Sequence, residues 1–235
     1  MLAVSASLLA IGLGATGANA AVQLTFGSDS NSTNTPATGA SGVVTLTFSD
    51  IIGGFRLSAL VENTTGSPVF GAGATESSLV GVALNNIAGA TRVGFGAGGN
   101  LDTIIEPGVL SPFDDFALCV ADDVNCVGAN MGPADGIQAG DDDTFTLDYT
   151  YAGDALAAQA AYFALLADPP GIDSALRFMQ VNAGAGSDKL SIPDIECIDC
   201  GGVSPIPLPA AAWLLLGGLG ALGVAARRRK DGVMV

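Results

Sequence analysis

The chain of 235 residues carries 23 acidic and eight basic side chains, a formal charge of −15, and no histidine. Without an imidazole it has no Ser-His-Asp triad, Cys-His pair, His-ligated zinc or His proton shuttle. The acid excess also leaves no basic stripe that could gain from releasing phosphate counterions, which excludes nucleic acid as a partner. The length suits one domain or two small ones, with room for a proper core.

Residues 1–20 form an uncharged run of small and apolar residues ending Ala18-Asn19-Ala20. This small-x-small ending predicts a secretory signal cut by signal peptidase between Ala20 and Ala21, although the usual positively charged start is missing. The alternative is a hydrophobic first strand or helix of the folded domain. Between the two chain ends, residues 21–204 hold 22 acidic and four basic residues, so this predicted exported domain carries a net −18.

Within it the patterning is mostly period 2. Val44, Leu46 and Phe48 alternate with threonines, and Phe55, Leu57, Ala59 and Val61 alternate with Arg56, Ser58 and Leu60. The Ser49–Gly54 gap between them predicts a hairpin or meander. Further strands are expected at Leu79–Asn85, Arg92–Gly96, Phe116–Val120, Thr144–Thr150 and Ala175–Val181, the Thr144 segment placing Phe145, Leu147 and Tyr149 on one face. The Ser/Thr/Asn/Gly-rich stretch Gly27–Gly42 reads as a flexible loop. One segment breaks the rhythm: Asp154–Ala167 is alanine-rich, starts with a capping Asp and stops at Asp168-Pro169-Pro170-Gly171. It predicts one helix lying across or between sheets, with Leu156, Ala160, Phe163 and Ala167 on one face. The fold class expected is all-β, an antiparallel β-sandwich with one short helix.

The four cysteines are spaced as Cys119-x6-Cys126 and Cys197-x2-Cys200. In an exported chain disulfides are the default, and sequence-local pairing gives Cys119–Cys126 and Cys197–Cys200. Four thiolates on zinc, or a redox-active Cys197–Cys200, are the alternatives. The flanking Glu196 and Asp199 oppose the latter by favouring the protonated thiol.

The acidic clusters Asp114-Asp115, Asp122-Asp123 and Asp141-Asp142-Asp143 are the residues with chemical potential. Carboxylates, with Asn125 and loop carbonyls, are hard oxygen donors, which makes Asp141, Asp142 and Asp143 candidates for calcium. No regular calcium loop is present, and solvated acidic loops are the plainer reading. No cofactor is otherwise implied. A glycosidase would need two carboxylates with opposed pKa values, and an acidic chain offers too many pairs to choose from. A hydrolase or lectin for sugars would also want aromatic platforms, yet the one tryptophan, Trp213, lies near the C-terminus and the three tyrosines are Tyr149, Tyr151 and Tyr162. Asn31-Ser32-Thr33 and Asn63-Thr64-Thr65 fit the glycosylation sequon by chance.

The C-terminus is the most informative part. Leu208–Ala226 is an uncharged 19-residue stretch, enough helix to cross roughly 30 Å of hydrocarbon. Arg227-Arg228-Arg229-Lys230 follow at once and predict that residues 227–235 stay in the cytoplasm, with the acidic domain on the far side. Trp213 suits the opposite interface. Ahead of the span, Pro205-Ile206-Pro207-Leu208-Pro209-Ala210 forces an extended, readable peptide.

This tripartite tail resembles the VPLPA-CTERM sorting signal, a variant of the PEP-CTERM tails of exopolysaccharide-secreting bacteria, with Ile206 in place of the valine. The resemblance covers about the last 30 residues. It implies an exosortase, an integral-membrane cysteine protease, as partner, and a chain that is exported, held in the inner membrane and then moved to the cell surface or outside. The domain body also resembles that of such proteins in Cys119 and Cys126, Gly140 through Phe145, Arg177-Phe178 and Gly186-Ser187-Asp188-Lys189. Three functions follow as expectations: a non-enzymatic surface or matrix protein, with no catalytic residue; a calcium-assisted module binding polysaccharide or a partner; and an extracellular hydrolase using paired carboxylates.

Overall fold

The computed structural model describes residues 20–27, 30–35, 37–67, 73–113, 115–122, 126, 136–167, 172–182, 186–191 and 193–198. In chain order the elements are β1 (Ala20–Phe26), β2 (Asn31–Ser32), β3 (Gly42–Ile51), β4 (Gly54–Asn63), β5 (Ser78–Leu84), β6 (Thr91–Gly96), β7 (Thr103–Ile105) and β8 (Gly108–Val109). There follow β9 (Asp115–Phe116), β10 (Leu118–Ala121), β11 (Ile137–Gln138), β12 (Asp142–Thr150), α1 (Ala155–Ala167), β13 (Ser174–Val181), β14 (Gly186–Ser191) and β15 (Asp194–Ile198). One sheet runs β15-β1-β3-β4-β12-β6 and the other β2-β14-β13-β5-β10-β7, with β11 paired to β5 and a small β8-β9 ladder. Every pairing is antiparallel. The fold is therefore all-β with one short helix.

Alternation explains why these segments pair. Val44, Leu46 and Phe48 on β3, Phe55, Leu57, Ala59 and Val61 on β4, and Phe145, Leu147 and Tyr149 on β12 are all buried. They share one core with Leu79, Val82 and Leu84 of β5 and Leu176 and Phe178 of β13, so the two sheets pack face to face. The expected hairpin is tighter than its six-residue gap: β3 runs to Ile51 and pairs with Gly54, leaving Ile52-Gly53 as the turn. Gly53 takes φ +80°, a conformation that glycine supplies without strain. The three tyrosines pack against phenylalanines: Phe55 stacks on Tyr149 at 5.0 Å, meets Tyr151 edge-on at 5.6 Å, and Phe48 touches Tyr162.

Helix α1 starts as expected. Asp154 accepts the Ala157 N–H at 2.8 Å and so caps the first turn, while Asp50 accepts the Ala155 N–H at 2.7 Å. Its buried face differs from the one read off the spacing. Ala155, Ala158, Gln159 and Tyr162 face inward, and Leu156 is exposed. In so alanine-rich a helix several stripes are nearly equally apolar, and the small stripe wins because it lets Tyr162 reach Phe48. The helix contacts β1, β3, β4 and β15, all of one sheet, and Gln159 donates to the Ala21 carbonyl at 3.3 Å.

Gly27–Gly42 is not the free loop expected. Asn31 and Ser32 form β2 against Ser191 and Leu190 of β14. Strands β2, β7, β8, β11, β14 and β15 went unread: the first four have only two or three residues, too few to show a period, and the last two are short and carry acidic or polar residues at most positions. β1 went unread because its apolar residues continue the leader-like run.

Cys119 and Cys126 form a disulfide, both sulfurs buried in a second apolar cluster with Val80, Phe116 and Ala175. The buried Arg177 guanidinium donates to the Cys126 carbonyl at 2.6 Å, fixing the clip to β13. Burial also pulls the Arg177 pKa below its ordinary value. Cys197 on β15 is disulfide-bonded too, and its expected partner Cys200 lies outside the described residues. Replacing Cys119 and Cys126 together by serine should lower stability by about 2–3 kcal/mol, from the closure entropy of so short a loop. An unchanged denaturation midpoint would show that the clip adds nothing.

The chain divides after Cys200, with residues 1–200 in one compact unit and 201–235 in a second. The leader-like residues 1–19, the Pro205–Ala210 motif, the apolar stretch Leu208–Ala226 and Arg227–Lys230 all lie outside the described residues. Among the described residues no helix is long and apolar enough to cross a membrane.

Candidate functional site

Two adjoining open depressions lie at the end of the sheets where β4 finishes and β12 begins. A groove of about 460 Å³ is lined by Glu62, Asn63, Thr64, Thr75, Asp141 and Asp142 among others. A second of about 460 Å³ adjoins it through Thr75 and Ala139 and adds Glu76, Gln138 and Gln180.

The scaffold beneath is rigid. Asn63, last residue of β4, is buried, and its side-chain amide donates to the carbonyls of Ser77 at 3.0 Å and Ile137 at 2.8 Å. Its Oδ1 accepts the Thr65 N–H and the Ser77 hydroxyl, each at 3.2 Å. The second sequon therefore begins with an asparagine consumed by the fold, whereas Asn31 of the first is exposed on β2. Gly140, at φ +91°, turns the chain so that its N–H meets the Asn63 carbonyl at 2.7 Å. Gln180 sits at a bulge of β13 with φ +50°, the one left-handed non-glycine residue described.

Electrostatically the groove is one-signed. Asp142 lies directly opposite Glu62 in the β4-β12 register, a like-charge cross-strand pair that costs stability. No described cation lines either depression. The domain's cations are committed elsewhere. Arg56 grips Asp148 at 2.6 and 2.9 Å and Arg92 grips Glu106 at 2.5 and 2.8 Å. In each pair the hydrogen bonds hold the carboxyl below its usual range and raise the guanidinium. Burial lowers Lys189, reinforced by the nearby Arg177 and opposed by Asp188. Such an acidic lining suits cations and neutral hydrogen-bond donors and repels anions. It offers neither an aromatic face nor a cation to stabilise an anion.

The calcium candidates divide: Asp141 and Asp142 both line the groove, and Asp143 does not. Successive residues of a strand point to opposite faces, so Asp142 is exposed and Asp143 is buried. Asp143 is already saturated: its Oδ1 accepts the N–H groups of Gly99 and Thr144, each at 2.8 Å, and its Oδ2 those of Asn100 at 2.8 Å and Leu101 at 2.7 Å. No group of three acidic or cysteine side chains placed to hold a metal is found among the described residues. Asp114, Asp123 and Asn125 lie outside them.

Two structural carboxylates were missed as such. Besides Asp143, Asp188 is wholly buried and accepts the hydroxyls of Ser32, Thr33 and Thr38 and the Lys189 N–H, at 2.6–3.2 Å. The signal was present in both strands. Asp143 continues the inward series Phe145, Leu147, Tyr149, and Asp188 alternates in step with the buried Leu190.

Comparison with protein-family models, with curated proteins and with solved structures found no match to this chain.

Proposed function

We propose that this is a non-enzymatic bacterial surface or extracellular-matrix protein, a β-sandwich exported by its leader and held by its C-terminal span until an exosortase processes the Pro205–Ala210 tail. The observation that carries this reading is the order of segments in the sequence, a proline motif, an uncharged apolar stretch and a basic cluster in succession, following an all-β body that carries a disulfide. The Cys119–Cys126 disulfide supports an oxidising compartment. The groove's lining holds no aromatic platform, which disfavours stacking of sugar rings there. The acidity itself keeps such a domain soluble outside the cell.

The test is expression with and without an exosortase-type protease, followed by fractionation and sequencing of both termini. Without the protease the chain should start at Ala21, retain Arg227–Lys230 and pellet with membranes. With it, the chain should lose the basic tail and leave the membrane fraction. A chain that still starts at Met1 and stays in the cytosol would overturn the proposal.

A further inference from the structure

Tyr162 is the largest of the side chains that α1 turns inward, and its ring packs on Phe48 with only 3% of the residue exposed. Its hydroxyl is buried and has no hydrogen-bond partner among the described residues. The hydroxyls of Ser174 and Ser191 share that condition, but a serine Oγ lies close to its own backbone and can turn toward a local carbonyl. A tyrosine oxygen stands at the far end of a rigid ring and depends on what surrounds it there. Leaving it unpaired in the interior is costly, and phenylalanine fills nearly the same space without that cost.

The surroundings supply partners. Tyr162 lines a largely enclosed cavity together with Asn85, Asn86 and Tyr149, and the rest of the wall is apolar. The cavity leaves about 10 Å³ for the centre of a water molecule, which is room for one and for nothing larger. Asn85 has no capacity to spare, because its Nδ2 donates to Asp173 at 2.9 Å and its Oδ1 accepts the Ala117 N–H at 2.9 Å. Tyr149 donates its hydroxyl proton to Asn86 Oδ1 at 3.0 Å. That leaves the Tyr149 oxygen as an acceptor and the Asn86 Nδ2 as a donor. Burial above all, and then the nearby Tyr149 and Asp173, push the Tyr162 hydroxyl well above the ordinary 10, so it is a neutral donor throughout the physiological range.

We propose that this cavity is a binding site for a single structural water, held by Tyr162, Tyr149 and Asn86. The water accepts from the Tyr162 hydroxyl and from Asn86 Nδ2 and donates to the Tyr149 oxygen, which makes the three bonds usual for a buried water. The bridge spans the two sheets. Asn86 follows directly on β5, and its neighbour Asn85 is bonded to Asp173 at the entry to β13, both strands of the second sheet. Tyr162 belongs to a helix packed on strands of the first. The water therefore ties α1 to the polar cluster at the end of the opposite sheet, independently of how the chain is sorted.

Tyr162→Phe tests the site, because it removes one oxygen and keeps the packing on Phe48, and because the two alternatives predict opposite signs. With the water bound, loss of the hydroxyl removes a hydrogen bond, and the unfolding constant of the full-length chain in detergent should rise about fivefold in a denaturant titration. With an unpaired hydroxyl, the variant should be as stable as wild type or more stable. A second measurement reads the water itself. In the wild-type chain with isotope-labelled tyrosine, cross-relaxation should show a long-lived water against the Tyr162 ring protons. A variant that loses no stability would overturn the site, and so would a Tyr162 ring with no long-lived water beside it.

Discussion

Asp188→Ala should lower the stability of the domain by about 4 kcal/mol, a large share of the 5–15 kcal/mol typical of a whole domain. The carboxylate is fully buried and satisfies three hydroxyls and a backbone N–H. Alanine strands those donors, Thr38 in the buried interior and Ser32 and Thr33 half-buried beside it, and the cost of unpaired buried donors exceeds the worth of the bonds themselves. The loss should also be local. Ser32, Thr33 and Thr38 all belong to the segment between β1 and β3, so the carboxylate fastens that segment to β14. Hydrogen exchange should show the Thr33 amide, bonded to the Lys189 carbonyl, losing protection ahead of β3 and β4. Thr38→Val, which removes one hydroxyl that donates to Asp188 at 2.6 Å, should cost about 1–2 kcal/mol. Equal protection in wild type and Asp188→Ala would mean that the segment is held by something other than this carboxylate.

How far the sequence discloses the fold depends on whether a residue's neighbours in the chain are also its neighbours in the fold. The β3-β4 hairpin, β12 and β13 could be read because alternation is a local property and each strand carries its own pattern. The order β15-β1-β3-β4-β12-β6 could not, since β1 and β15 meet across nearly the whole length of the unit. Helix α1 was legible as an element through Asp154 and its stop, but not in its orientation, because its alanines leave the choice of face to Phe48 and Tyr162. The acidic residues misled in a particular way. Asp141-Asp142-Asp143 reads as one cluster along the chain, while the pleat separates it into two faces, one looking into the groove and one into the body. Carrying the Phe145, Leu147, Tyr149 series back by one step would have singled out Asp143. The same step from Leu190 would have singled out Asp188. The groove itself was out of reach, since it depends on β4, β11, β12 and the β13 bulge converging from distant parts of the chain.

Asp143 supplies the second large effect and the pH dependence. Three consecutive amides, those of Gly99, Asn100 and Leu101, converge on its carboxylate, an anion nest whose anion is the protein's own side chain. The chain can wrap so closely because a Cβ on Gly98 would overlap the Asp143 carboxylate. Burial alone would push the carboxyl upward, but the backbone donors outweigh it and hold the pKa below the ordinary 3.8. A carboxyl depressed in the folded state stabilises fully at pH values above its unfolded pKa, and the contribution disappears as pH falls through the folded value. Asp143→Asn should therefore cost about 3 kcal/mol at neutral pH, since an amide offers one acceptor oxygen where two are used. As pH falls below 3.8 toward the lower folded-state value the two stability curves should converge, because the unfolded chain takes up its proton there before the folded carboxyl does. Glu106 and Asp148 are depressed as well, by the hydrogen bonds from Arg92 and Arg56. Those pairs are at the surface and weaken with salt, whereas the nest is built of backbone amides and does not. Acid titrations of stability at high salt in wild type and Asp143→Asn separate the two contributions. Curves that stay parallel through the acid range would show that the nest does not discriminate the ionised carboxylate from its neutral counterpart.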